Sequence, residues 1–129
     1  MRYRARISGP LLDRIDLYVD VPSVDVSELR AGGEEEPSAT VRARVAAARR
    51  RRQLGMATRL TSSAEALLAR AAKRMALSAR GISRCLGVAR TIACLGGSDE
   101  TDGEHLSEAL QYRAPTTDAV TFDHRETAA

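Results

Sequence analysis

The chain has 129 residues and a formal net charge of +3, which is the size of one ordinary domain with a single modest core. Hydrophobic residues make up 43% of the sequence and charged residues 29%, a globular balance that excludes a wholly disordered chain. Aromatic residues are only 3% and Trp is absent, so the core must be aliphatic. The abundance of Ala and Arg favours helices over an all-β sandwich.

No stretch of the sequence approaches the ~18 consecutive apolar residues of a membrane span, and no apolar region follows the basic start of the chain. The two cysteines, Cys85 and Cys94, fall on opposite faces of one predicted helix and cannot bond to each other. The two histidines have no metal-ligand spacing with them, so we expect no metal site. Together these features predict a cytoplasmic protein without membrane contact.

The first part of the chain predicts a strand followed by a linker. Apolar residues alternate with polar ones between residues 15 and 21, which is typical of a strand, but a lone strand has no partner for its backbone groups. We therefore interpret residues 1–21 as the end of a larger core. Residues 22–37 contain two glycines, an acidic triplet and two prolines, and they predict a flexible linker.

Residues 38–113 predict an all-α bundle of four helices, and residues 114–129 a disordered tail. The first helix covers about 39–54 with Ser38 as its N-cap, and the third begins at the cap Ser78. Two capping boxes, at Ser62 and at Thr101, predict the starts of the second and fourth helices. Because the connecting loops are short, we expect consecutive helices to pack as antiparallel neighbours.

Basic residues are almost all arginine, since Lys73 is the one lysine among twenty. Arginine binds phosphate bidentately, but composition drift in a GC-rich genome produces the same excess. Four arginines end the first predicted helix and form a collar around it: Arg49, Arg50, Arg51 and Arg52. The collar is either a solvated complement to the helix dipole or a contact for DNA phosphates.

Three blocks of sequence resemble the C-terminal part of magnesium-chelatase-like AAA+ ATPases. The blocks are Ser-Gly-Pro-Leu-Leu-Asp-Arg-Ile-Asp-Leu at residues 8–17, Val-Arg-x-Arg-Val-x-x-Ala-Arg at 41–49, and Leu-Ser-Ala-Arg at 77–80 continuing to Leu-x-Glu-Ala-Leu-Gln-Tyr-Arg at 106–113. Within the family they are most similar to the ComM-type branch-migration helicases. The resemblance implies that residues 38–113 are the helical lid of such an ATPase.

The same resemblance implies roles for two arginines. Arg14 matches the arginine finger, which reaches the nucleotide of a neighbouring subunit, and Arg80 matches the sensor 2 arginine, which contacts nucleotide phosphates from the lid. ATP and Mg²⁺ are the implied cofactors, and the implied partners are the rest of the AAA+ core, neighbouring subunits of a ring, and DNA. No phosphate-loop pattern occurs in the sequence, so we expect neither ATP hydrolysis nor bound cofactor from this chain alone.

Two other functions remain open at this point. The longer ATPase that the resemblance implies could be the ATPase subunit of a magnesium chelatase that acts on a porphyrin. Alternatively, the chain could be a stand-alone basic helical module that binds DNA through the collar.

Overall fold

The computed structural model describes residues 9–12, 14–23, 25–31 and 35–113, so the predicted tail at 114–129 and the first eight residues lie outside the described part. Two short helices are followed by four longer ones. In chain order the elements are α1 (Gly9–Leu12), α2 (Val26–Ala31), α3 (Ser38–Gln53), α4 (Ser62–Arg74), α5 (Ala79–Leu95) and α6 (Gly103–Gln111). No strand occurs in these described ranges, and the predicted all-α bundle is confirmed.

The two short helices were not predicted. α1 occupies a Gly-Pro sequence that reads as a turn, and α2 lies within the predicted linker. Between them, residues 15–23 have no regular secondary structure and expose apolar side chains, with Val21 83% accessible. The segment with alternating apolar and polar residues is therefore irregular, and it belongs to no sheet in the described residues.

The core consists of two clusters built around α5. Cys85 and Leu106 belong to the larger cluster, and Cys94 belongs to a smaller one with Ala48. Both cysteines are buried free thiols. Most fully buried side chains are Ala or Cys, so the helices approach each other closely with little bulk between them.

Helix packing differs from the expected order of consecutive neighbours. The helix pairs that pack together are α3 with α5, α4 with α6, and α5 with α6, so only the last pair is consecutive in sequence. The loop after α3 explains the difference, because it does not turn the chain straight back. Instead it carries the chain to residues 99–101, where Leu60 and Thr101 form a parallel bridge.

That bridge contains the most buried polar side chain among the described residues. Thr101 is 1% exposed, and its hydroxyl donates a 2.7 Å hydrogen bond to the carbonyl oxygen of Ala57. The Ala57 amide in turn donates to the carbonyl oxygen of Asp99 at 2.9 Å. The bridge therefore holds the starts of α4 and α6 side by side.

Three helix starts are capped differently from the prediction. Thr61, not Ser62, caps α4, and Pro37 precedes α3 without a side-chain hydrogen bond, so Ser38 is the first helical residue. Asp102, not Thr101, caps α6: its carboxylate accepts from the amides of Glu104 and His105. A carboxylate complements the helix dipole better than a hydroxyl, and the Thr101 hydroxyl is already used in the bridge.

Three helices end with the same hydrogen-bond arrangement. After α3, α4 and α5 the amides of the two residues beyond the C-cap bond back to carbonyls of the last turn, which is the Schellman motif. The first of these residues has positive φ in each case: Gly55 at 79°, Ala76 at 46° and Gly97 at 74°. Glycine adopts this conformation without strain, whereas Ala76 does not.

Candidate functional site

Arg80 lies in the first turn of α5, where the sequence placed it. Ser78 is the N-cap as predicted, and its hydroxyl accepts a 3.0 Å hydrogen bond from the amide of Gly81. The Arg80 side chain is exposed and has no partner among the described residues. A cation at the positive end of a helix dipole is unfavourably placed unless an anion binds there. The residue is thus suited to contact an anion.

Arg14 lies in the turn that follows α1, where its amide donates a 3.0 Å hydrogen bond to the carbonyl oxygen of Leu11. Its side chain is exposed. Nothing in the described residues holds the guanidinium, so it is available to a group outside this chain.

The segment that follows Arg14 is fixed to the bundle by three contacts, and we call residues 15–18 the strap. The carboxylate of Asp16 accepts from Arg84 on α5, and the backbone carbonyl of Ile15 accepts a 3.4 Å hydrogen bond from Arg113. The Tyr18 amide donates to the carbonyl oxygen of Tyr112 at 2.8 Å. Arg84 and Arg80 are one turn apart on α5, so the strap joins the segment of Arg14 to the helix of Arg80.

The collar does not point uniformly into solvent. Arg51 donates to the carboxylate of Asp99 at 2.6 Å and to the carbonyl oxygen of Gly97 at 2.7 Å. Arg52 donates to the carbonyl oxygen of Gly87 at 3.0 Å and to the hydroxyl of Thr91.

These four contacts attach the end of α3 to α5 and to the loop after it. Arg49 and Arg50 are exposed and have no partner in the described ranges. The predicted collar thus separates into two structural arginines and two open ones.

A further arginine with a structural role escaped the sequence analysis. Arg90 donates to two backbone carbonyls, of Met56 at 3.0 Å and of Arg52 at 3.2 Å. Since these acceptors lie in the last turn of α3 and in its following loop, Arg90 caps that helix from outside. No local sequence pattern predicts a hydrogen bond between residues so far apart in the chain.

Two neighbouring groups have pKa values shifted by their surroundings. Burial raises the pKa of the Cys85 thiol, and the positive charge of Arg113 opposes this shift only weakly. A hydrogen bond to Glu108 raises the pKa of the Tyr112 hydroxyl. Both shifts favour the protonated thiol and the protonated phenol at neutral pH.

Comparisons with known proteins bear on both ends of the described chain. Residues 50–113 match the family model for magnesium chelatase, subunit ChlI C-terminal, and residues 1–29 match the model for magnesium chelatase, subunit ChlI. The chain belongs to the magnesium-chelatase-like family. Helices α4, α5 and α6 therefore lie in the region that the C-terminal model describes, and the segment of Arg14 lies in the region that the other model describes.

Curated relatives of this magnesium-chelatase-like chain cover most of its length. The competence protein ComM of Haemophilus influenzae is 36% identical over an alignment of 129 positions that covers 88% of this chain and 25% of ComM. The uncharacterized protein YifB of Escherichia coli is 37% identical over an alignment of 131 positions that covers 88% of this chain and 26% of YifB. The chain thus spans about a quarter of the length of these relatives.

None of the described helices is long and apolar enough to cross a membrane. Within the same residues, no group of three or more His, Cys, Asp or Glu side chains could hold a metal ion.

Proposed function

We propose that this chain is the lid and arginine-finger segment of a longer, ATP-driven, magnesium-chelatase-like AAA+ protein that works in the cytoplasm and remodels DNA. The observation that carries the proposal is the family match across α4, α5 and α6, with an exposed and unpartnered Arg80 at the start of α5. The relation to ComM over most of the chain supports a DNA-remodelling motor. We call the longer protein the parent.

In the parent, bound ATP and its Mg²⁺ supply the reactive phosphate, and this chain supplies cations around it. Arg80 holds the nucleotide from the lid, because its guanidinium can bind phosphate oxygens bidentately. Since Arg80 belongs to a rigid helix, movement of the lid moves this cation toward or away from the phosphates.

Arg14 acts on a different nucleotide, that of the neighbouring subunit in a ring. A guanidinium supplied in trans stabilises the charge that develops during phosphoryl transfer, and it makes turnover depend on assembly. The exposure of Arg14 supports this role, because a finger must be free to leave its own subunit's surface. The strap keeps the finger segment attached to the lid.

A second function, the motor subunit of a magnesium chelatase acting on a porphyrin, is favoured by the descriptions of the two family models. The two functions differ in what stimulates ATP turnover. A DNA-remodelling parent responds to branched DNA, whereas a chelatase motor responds to its partner subunits and porphyrin.

The test replaces Arg80 by Ala in the parent and measures steady-state ATP turnover. We expect turnover to fall ~10²-fold or more, since phosphoryl transfer loses a phosphate-binding cation. Arg74→Ala, at the exposed end of α4, is the matched control and should leave turnover unchanged. Equal turnover in both variants would remove Arg80 from the nucleotide site.

A mixing experiment tests Arg14. Arg14→Ala subunits combined with subunits whose phosphate loop is inactivated should recover turnover, because each contributes the part that the other lacks. Mixed assemblies that stay as inactive as either variant alone would contradict a finger that acts in trans.

A further inference from the structure

The first ten residues of α3 stand apart from the bundle. Every residue from 38 to 47 is exposed, and Ala48 is the first buried residue of the helix. Ten helical residues extend about 15 Å. Val41, Val45 and Ala48 recur at helical spacing, which predicts one buried face, but Val41 and Val45 are 36% and 38% exposed. The first half of α3 therefore projects from the bundle, and its side chains are small apart from Arg42 and Arg44.

This helix carries six arginines and no acidic residue. Three of them are used internally: Arg44 pairs with Glu36 at 2.8 Å, and Arg51 and Arg52 bind the bundle. The remaining three, Arg42, Arg49 and Arg50, are exposed and have no partner in the described part of the chain. The helix therefore presents three open cations beside a short run of Ala and Val.

Helical geometry puts the three cations on one side. Arg42 and Arg49 are seven residues apart, which is nearly two full turns, so they share a face and lie ~10 Å apart along the axis. Arg50 follows one step of about 100° around the helix. All three line one shallow groove with Val45, Gln53 and Glu36, whose carboxylate pairs with Arg44. We call Arg42, Arg49 and Arg50 the α3 stripe.

We propose that the α3 stripe binds the phosphate backbone of double-stranded DNA, with the projecting half of α3 lying in the major groove. This inference rests on the proposed function for the choice of DNA as partner, while the surface itself follows from the exposure and charge of α3. It also revises the predicted collar, because Arg51 and Arg52 are engaged with the bundle and Arg42 takes their place.

Charge and shape select this occupant over the others. A second copy of the chain would bring arginine against arginine, which is repulsive. The major groove of B-DNA is about 12 Å wide and admits one helix. Eight of the ten side chains at residues 38–47 are small, and the other two are Arg42 and Arg44. We assign the three guanidiniums of the stripe to phosphates, which carry no sequence information, so the contact does not depend on sequence. The deep, narrow major groove of duplex RNA does not admit the helix.

The experiment measures binding of the 129-residue chain to a fluorescently labelled DNA duplex of about three helical turns, by anisotropy, between about 50 and 200 mM salt. The test variant is the triple substitution Arg42→Gln, Arg49→Gln and Arg50→Gln. Its matched control changes three exposed cations of α4 to the same residue: Arg70→Gln, Lys73→Gln and Arg74→Gln. Both variants lose the same net charge, so a general electrostatic effect cancels between them.

We expect the stripe variant to weaken binding at least ~10-fold at the lowest salt and to reduce the slope of log K against log salt by roughly 2.7, or about 0.9 for each phosphate contact. The α4 variant should change the slope by less than about 1. A third variant with Lys at the three stripe positions keeps the charge and should retain most of the slope. Far-UV circular dichroism checks that each variant is folded.

Four results would overturn the proposal. Three of them are no DNA binding by the wild type at low salt, equal losses in the stripe and α4 variants, and equal affinity for duplex RNA. Competition by polyglutamate as effective as that by unlabelled DNA would assign the stripe to an acidic protein instead, and also overturns it. The assay contains no ATP, so its failure leaves the Arg80 turnover test intact. A failed Arg80 test likewise leaves this binding result unchanged.

Discussion

The backbone amide of Tyr18 donates a 2.8 Å hydrogen bond to the carbonyl oxygen of Tyr112, which attaches the strap to the end of α6. Contacts of Asp16 with Arg84 and of Ile15 with Arg113 reinforce this attachment. The strap therefore follows the bundle although it belongs to neither a helix nor a sheet. In an ATPase, such a tie would transmit movement of the lid to the segment that carries Arg14.

Hydrogen exchange at the Tyr18 amide tests the strap. We expect measurable protection in the wild type and a loss of about 3-fold in Arg84→Gln, because a partly exposed ion pair contributes less than about 1 kcal/mol. Arg74→Gln removes an exposed cation elsewhere and should leave the amide unchanged. A Tyr18 amide that exchanges at the intrinsic rate in the wild type would contradict the attachment.

Replacing Ala76 by Gly should stabilise the protein by about 0.5–1 kcal/mol. Ala76 has φ of 46° in the Schellman motif after α4, where only Gly is free of strain. The control makes the same substitution at exposed Ala66 within α4, where it should destabilise by about 1 kcal/mol. Urea unfolding gives both values, and effects of the same sign at the two positions would refute the argument.

Thr101→Val should destabilise the protein by about 1–3 kcal/mol. The substitution keeps the shape of the side chain but removes the hydroxyl that donates to the Ala57 carbonyl, leaving a buried acceptor unsatisfied. Thr58→Val is the control, since the exposed Thr58 hydroxyl donates to Gly55 at 2.8 Å and water can replace it. Comparable losses of unfolding free energy in the two variants would show that burial of the Thr101 hydroxyl does not determine the cost of removing it.

Alkaline pH should weaken the fold through Cys85. Burial raises the pKa of this thiol above its ordinary value of 9.0, so the unfolded chain releases the proton more readily than the folded one. The unfolding free energy should therefore decrease as pH rises above about 9, through the interval between the unfolded and folded pKa values. Urea unfolding at a series of pH values from about 8 upward should show a shallower decline of the unfolding free energy in Cys85→Ala than in the wild type. Parallel declines would contradict this origin.

Arg14→Ala and Arg80→Ala should each change the stability of this chain by less than about 0.5 kcal/mol. Both side chains are exposed and neither contacts a described residue, so their removal leaves nothing buried and unpaired. Thermal unfolding of the two variants beside the wild type provides the measurement. A large loss in either one would make that arginine structural and would weaken its proposed role at a nucleotide.

The four long helices could be predicted because their signals are local. Apolar residues at helical spacing and the Gly-Gly pair after α5 place that helix within a residue of its observed bounds. The N-cap residue was harder to predict where two candidate residues are adjacent in the sequence. Thr101 and Asp102 are equivalent by sequence pattern, and the distant Ala57 carbonyl decides between them by taking the Thr101 hydroxyl.

Contacts of arginine with distant backbone could not be predicted in the same way. The partners of Arg90 lie 34 and 38 positions earlier, and Asp16 lies 68 positions before Arg84. Hydrophobic periodicity carries no information at such separations. The exposure of Val41 and Val45 was missed for a related reason: a helical stripe of apolar residues does not reveal whether a partner covers it.

The bridge between Leu60 and Thr101 has a consequence for how the chain folds. The bridge closes a loop of about 40 residues that contains α4 and α5. The chain must therefore lose the conformational entropy of this loop before the hydrogen bonds of the bridge can stabilise it. A bundle of sequential hairpins avoids this delay because its contacts are local. We expect refolding to be slower than in hairpin bundles of this size. Loosening the bridge should slow refolding only to the extent that the bridge is formed in the transition state.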